Sequence, residues 1–411
     1  MNIRKGMYLF ASLVIVVVLG LVLITPKTID LSHIFDTSSI VKIAISVPEA
    51  GAAGESIANA VELAFTELDF KVDDFDIELL FLDGGDENGI WSEDIERANA
   101  ERAVHDPEVL AYIGTYNSGA AKISIPILNK GNLVQISPGN TWPGLTKSGF
   151  APGEPGIFYP TGTRNYFRVC TTDDNQGPAG AIWANELGVK SVYIIDDGGA
   201  YGAGIANLFK RKAHSIDLEV LGHSTIGKNA NSYLDILNPI KENEPDLVYY
   251  GGTAPGGITL FIQEMRAMGI TSKIMGPDGI AAQDFVDLAG DDLAEGVYAT
   301  TIGVSATDIE TKESLKFKDA YMAKYLTEPG PFAVLGYETA HVLIEALKNV
   351  EGQRDRVAVM KAVSQTHDFG ILLDKWSFDN FGDTSNILMS GSVVKDGAFE
   401  FVKILTAPAG A

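Results

Sequence analysis

One cysteine, six histidines and a shortage of basic side chains narrow the field before any motif is sought. A lone thiol, Cys170, forms no intrachain disulfide and cannot build a zinc site by itself. It reads as a small, partly buried strand residue. The histidines show no ligand spacing, and His214 and His223 read as surface residues. Lys and Arg together number 31 against 54 Asp and Glu, giving a formal net charge of −23. A surface of that sign repels phosphate backbones, so a nucleic-acid partner is excluded. Acidic pairs such as Asp73-Asp74 and Asp291-Asp292 read as solvated faces or turns. Also missing are a P-loop, GxSxG, HExxH and a GxGxxG after the first strand. The glycines over 196–204 do not have the dinucleotide spacing either. No catalytic constellation, metal site or cofactor is expected, and a Rossmann-type enzyme is the weakest reading.

Apolar residues make up 46% of the 411, enough for substantial cores and for two or three domains. Arg4 and Lys5 precede an uncharged run over 7–24. At about 1.5 Å per residue it nearly spans a hydrocarbon layer of about 30 Å. Neither a small-x-small cleavage site nor a cysteine for a lipid follows it. The basic flank keeps the N-terminus cytoplasmic and exports the rest. Segment 1–39 therefore reads as an uncleaved membrane anchor and linker, with a removed signal peptide as the alternative.

Beyond the linker, strands and helices alternate. Strands are predicted over 41–47, 77–82, 110–113 and 133–136, with helices over 55–69, 94–104 and 119–129 between them. Helix 55–69 carries Ile57, Val61, Ala64 and Leu68 on one face. A Gly- and Pro-rich loop over 148–163 and an extended crossing over 166–171 interrupt the pattern. A second series follows, with helices over 179–187, 204–213, 233–243 and 258–268. Its strands are predicted over 191–195, 218–223, 247–250 and 273–275. Pro239 should kink or shorten the helix that holds it. The chain is extended again over 297–304, then helical over 312–326, 333–349 and 354–363, and Lys395-Asp396-Gly397 marks a terminal hairpin. Such alternation builds parallel sheets covered on both faces. Two series joined by three extended crossings predict two hinged α/β lobes. Their boundaries are 40–169 with 302–376, and 170–301 with 377–411.

In open parallel sheets ligands bind beyond the carboxyl ends of strands. Four turns stand there. In Gly114 to Gly119, Ser118 is placed as an N-cap whose helix offers free N–H groups to a carboxylate. In Ser137 to Trp142, Thr141 offers a hydroxyl and Gly139 a closely approached backbone. In Asp196 to Gly204, Tyr201 can stack or hydrogen-bond. The last pair is Gly251-Gly252-Thr253 and Met275-Gly276-Pro277-Asp278-Gly279, where Asp278 can meet an ammonium group. Taken singly, each turn is equally explained by capping or turn chemistry.

Together the turns resemble the leucine/isoleucine/valine-binding proteins of ABC importers. The resemblance rests on Asp174-Asn175-Gln176-Gly177-Pro178, Tyr201-Gly202-Ala203-Gly204, Asp246 to Gly252, and Met275 to Gly279, in that order and spacing. It implies two Rossmann-like lobes with three crossovers, a type I periplasmic binding fold, and delivery of solute to membrane permease subunits. It also implies that Ser118, Gly139 and Thr141 hold a ligand carboxylate, that Tyr201 and Asp278 meet its ammonium end, and that Phe332 touches its side chain. Ala53 and Thr253 replace two larger aromatics of the family, Asp278 replaces a glutamate, and Asn117 stands where a disulfide cysteine would be. An amino-acid head group is thus retained while the side-chain pocket is enlarged, with Tyr116 or Trp142 filling part of it. The ligand expected is branched-chain-like or a related small amide or carboxylate. A solute-sensing receptor of the same fold is the alternative role.

Overall fold

The computed structural model describes residues 40–406 except Asn88, Lys228 and Asn229. The apolar run over 7–24 lies outside the described residues. Among the described residues no helix is long and apolar enough to cross a membrane.

The first sheet begins with β1 (Ile40–Val47), whose apolar residues are buried on both faces, as a central parallel strand requires. There follow α1 (Ala52–Thr66), β2 (Lys71–Val72), β3 (Phe75–Asp83), α2 (Glu93–His105), β4 (Val109–Gly114), α3 (Ser118–Lys130), β5 (Val134–Ser137) and β6 (Tyr166–Arg168). The order is β2-β3-β1-β4-β5-β6, parallel except for the short β2 edge.

The second sheet is built from α4 (Asp173–Glu186), β7 (Ser191–Asp196), α5 (Ala200–Ser215), β8 (Glu219–Thr225), α6 (Leu234–Asn243), β9 (Leu247–Gly251), α7 (Ile258–Ala267), β10 (Lys273–Gly276), α8 (Gln283–Ala289), α9 (Asp291–Ala294) and β11 (Tyr298–Ile302). Helices α10 (Lys312–Tyr325), α11 (Pro331–Lys348) and α12 (Arg356–Ser364) come next, before the hairpin β12 (Met389–Lys395) and β13 (Ala398–Leu405). The order is β13-β12-β11-β10-β9-β7-β8, with β12 running antiparallel to the other strands. Both sheets are therefore mixed rather than purely parallel.

The late helices return to the first sheet. Val334, Leu335 and Leu343 of α11 share one core with Ile57 and Val61 of α1 and with Ile43 and Ile113 of the sheet. One difference from the sequence reading has a local cause. Helix α4 starts at Asp173 rather than near 179, because Gly177 and Pro178 are accommodated inside it. Helix α6 holds Pro239, as expected, and is ten residues long.

The connections between the sheets lie side by side. The backbone N–H of Arg168 donates to the carbonyl of Gly382 at 3.0 Å, and that of Gly303 to Leu388 at 2.8 Å. The Arg168 guanidinium, fully buried, donates through Nε to Asp383 Oδ1 at 2.7 Å. It also donates to the carbonyls of Asn140 (2.9 Å) and Trp142 (2.8 Å) and to Thr146 Oγ1 (2.5 Å). One cation thus ties the first crossing, 166–171, and the third, 377–383, to the turn after β5.

Candidate functional site

The loops at the carboxyl ends of both sheets converge on one cleft. On the side of the first sheet, Asn117 rather than Ser118 is the N-cap of α3. Asn117 is extended and its carbonyl accepts from Ala121 at 3.1 Å, whereas Ser118 already holds the first helical position. The first-turn N–H groups of α3 are left without intrahelical partners. Ser118 Oγ accepts the Trp142 N–H at 3.2 Å, which leaves its own proton free to donate. After β5, Ser137 Oγ accepts from the N–H groups of Gly139 (3.1 Å) and Asn140 (2.9 Å) and so sets the turn. Thr141 follows, 1% exposed, with its hydroxyl unpartnered.

The side of the second sheet has the opposite polarity. Asp278 opens a single 3₁₀ turn, Asp278–Ile280, just past β10, and is 3% exposed. Tyr201, in the first turn of α5, donates its hydroxyl to Asp278 Oδ1 at 2.6 Å and accepts the Gly279 N–H at 3.2 Å. Burial pushes the Asp278 carboxyl up to about 6, although the Tyr201 bond acts against it. Asp173, the first residue of α4, is fully buried and both its carboxyl oxygens lack a hydrogen-bond partner. Burial first, and the charge of Asp278 second, hold it well above the usual carboxylate range. Its backbone N–H reaches across to the carbonyl of Thr141 at 2.9 Å.

Ser118, Gly139, Thr141, Tyr116, Tyr201, Thr253 and Asp278 all line this cleft, whose space with its open mouth is about 480 Å³, and among the described residues no basic side chain lines it. Ala53 and Phe332 line an adjoining chamber instead. Phe332 approaches the cleft through Tyr116, edge-on with ring centroids 5.2 Å apart. Trp142 does not fill the pocket, contrary to one expectation. Its indole N–H is held by Glu154 Oε2 at 2.8 Å, and its ring faces α5. Glycine is required there, since a Cβ at Gly204 would lie 2.4 Å from the indole. His223 is not a plain surface residue either, since its Nε2 lies 2.7 Å from Asp196 Oδ2. Cys170 is buried, and its thiol donates to the carbonyl of Asn140 at 3.4 Å.

Two residues that line the cleft and a third beside it escaped the sequence reading. Trp91 lines it from the loop after β3, lying over Gly119, where a Cβ would come within 2.2 Å of its ring. Its signal was an aromatic between a strand end and the cap Ser92. Asp197 follows β7, in a turn where only Tyr201 had been singled out. Asp173 was hidden by the late start assigned to its helix.

The electrostatics set a pH dependence for any cationic ligand group at Asp278. Above pH 6 the carboxylate is ready to pair. Below it a proton must first leave, at about 1.4 kcal/mol per pH unit. Affinity should be flat between pH 7 and 8 and fall roughly tenfold per unit below about 6, as titration calorimetry would read. The empty protein should behave oppositely. A carboxyl raised from its unfolded value binds more protons when folded, so this group adds stability as pH falls from 6 to 4.

Residues 40–388, spanning the first sheet, five strands of the second and every cleft residue above, match the family model for periplasmic binding proteins. The chain belongs to the periplasmic binding protein family. Among relatives of this periplasmic binding protein, the Leu/Ile/Val-binding protein homolog 1 of Brucella abortus is 27% identical over 272 residues, 66% of this chain and 68% of that one. Homolog 2 of the same organism is 27% identical over 350 residues, 84% of this chain and 88% of that one. The crystal structure of a leucine-binding protein, LivK, from Thermotoga maritima matches with a TM-score of 0.78 at 26% identity, covering 89% of this chain and 99% of that one. The two mixed, mostly parallel sheets are those of the type I periplasmic binding fold.

Proposed function

We propose that this periplasmic binding protein is the extracytoplasmic solute-binding component of an ABC importer and takes an α-amino acid between its lobes. The observation that carries the reading is the division of polarity across one buried cleft. Hydroxyl and helix N–H donors of Ser118, Thr141 and α3 line it together with the buried carboxyl of Asp278. A zwitterion entering such a site gives up water at both charged ends and finds a partner for each. The names of the relatives, which bind leucine, isoleucine or valine, point the same way.

The lobes, 40–169 with 302–376 and 170–301 with 377–411, close as the ligand bridges them. Contacts made with both lobes provide the differential affinity that shifts the population toward the closed form. Lys147 pairs across the seam with Asp174 at 3.1 Å, and Gly204 packs on Trp142, which supports a closed arrangement as the ligand-holding one. The partners are permease subunits, to which the closed form hands its solute. The run over 7–24 supports an N-terminal membrane anchor. Full-length protein sedimenting with membranes, its N-terminus at or near Met1, is the result expected. A soluble form beginning near residues 25–40 would mean a cleaved signal.

Thermal-shift titration over amino acids, small amides and carboxylates tests the main reading. An amino acid at about 100 times its Kd adds about 2.7 kcal/mol of stability. If amides or acids stabilise the protein and no amino acid does, the head-group reading is wrong.

A further inference from the structure

The cleft does not end at the head-group site. Trp91, Tyr116, Asn117 and Thr253 line it on one side and a second chamber of about 1040 Å³ on the other. The near walls of that chamber are apolar, formed by Pro48, Ile90, Pro255 and Leu288. Ala53 and Thr253, both small, keep the passage open. The chamber also carries two carboxylates, Asp284 and Asp287, three residues apart and so on one face of α8. Asp284 is half-buried, and its Oδ1 accepts the Phe285 N–H at 2.8 Å. Burial, and then the charge of Asp287, raise its carboxyl above the usual range. Among the described residues no basic side chain lines either chamber. At the head-group end, the buried and unpartnered Thr141 hydroxyl marks where the ligand is gripped.

A ligand anchored there would extend its side chain past Tyr116 and Thr253, along apolar walls, toward two acids that meet no counter-charge among the described lining residues. Resting on the amino-acid reading above, we propose that this second chamber selects an α-amino acid whose long side chain ends in a cation, of the arginine or lysine type. The methylene stem lies against the apolar walls, and the terminal charge meets Asp284 and Asp287. A short branched side chain would leave the chamber wet and Asp284 and Asp287 with neutral partners alone, the Phe285 N–H at 2.8 Å for the one and the Gln283 amide at 3.1 Å for the exposed other.

Calorimetric titration with L-arginine, L-citrulline and L-leucine tests this, because citrulline keeps the length of arginine and removes its charge. Arginine should bind at least tenfold more tightly than either of the others. In the double variant Asp284→Asn/Asp287→Asn that preference should shrink at least tenfold, with citrulline and leucine changed less than twofold. Asn at 284 keeps an acceptor for the Phe285 N–H, and an unchanged melting temperature confirms that the variant folds. Leucine or citrulline binding as tightly as arginine would overturn the proposal. So would a variant that weakens all three ligands alike. Failure of every α-amino acid to bind the wild type would instead remove the amino-acid reading on which the proposal rests.

Discussion

Asp278→Ala should weaken amino-acid binding by about two to three orders of magnitude while leaving the empty protein folded. A ligand ammonium sealed into the cleft without its anion costs about 3–5 kcal/mol, at about 1.4 kcal/mol per factor of ten. The usual worry, that a buried residue cannot be removed without harm, has the wrong sign here. The Asp278 carboxyl is raised to about 6 by burial, so at pH 8 its ionised form opposes folding of the empty protein. Asp278→Asn makes the point more cleanly, because the amide oxygen still accepts from Tyr201. Its melting temperature at pH 8 should equal or exceed that of the wild type, and its affinity should collapse. If calorimetry finds either variant binding as tightly as the wild type, Asp278 does not meet the ammonium group.

Arg168→Met should cost about 3–5 kcal/mol of stability, because it leaves Asp383 buried without its guanidinium. Lys147, 3.5 Å from Asp383, softens the loss but cannot replace the four bonds that Arg168 makes. Urea unfolding at pH 7 provides the measurement. Removing the stranded acid as well, in Arg168→Met/Asp383→Leu, should recover a good part of the loss, as coupled neighbours do. Single variants whose costs simply add would show that the two residues act independently. Binding should suffer too, since Arg168 holds the carbonyls of Asn140 and Trp142, which flank Thr141. Arg168 is a positioning residue in this sense. A ligand affinity unchanged in the folded fraction of Arg168→Met would deny it that role.

Period and punctuation made the two series of strands and helices readable, because the sheets bury apolar strands and the helices carry apolar stripes. β1, β7 and the terminal hairpin lie within a residue or a few of where the pattern put them. The errors lie where a local rule met a tertiary exception. The helix expected over 179–187 starts at Asp173, with Gly177 and Pro178 inside it, and the misplaced boundary hid Asp173. Ser118 has the chemistry of a cap, but Asn117 occupies the position, and the Ser118 hydroxyl is turned toward Trp142. Trp91 carries no periodic signal, since its place over Gly119 is set by a contact between distant loops. Buried charge was the least legible feature of all. Arg168 and Asp383 are 215 residues apart in sequence, and no window over the chain could pair them.

Trp142 gives the protein an optical reporter of its own. One face of its indole lies against Gly204 on the opposite lobe, while its N–H stays bound to Glu154 and the ammonium of Lys122 sits 5.1 Å from the ring. Parting of the lobes would wet the Gly204 face and leave the Glu154 and Lys122 contacts, both on its own lobe, in place. Indole emission moves to longer wavelength as water reaches the ring, so opening and closing would be recorded as a colour change without any attached dye. The same ring fixes how far the lobes can approach, because any side chain at position 204 would wedge against it.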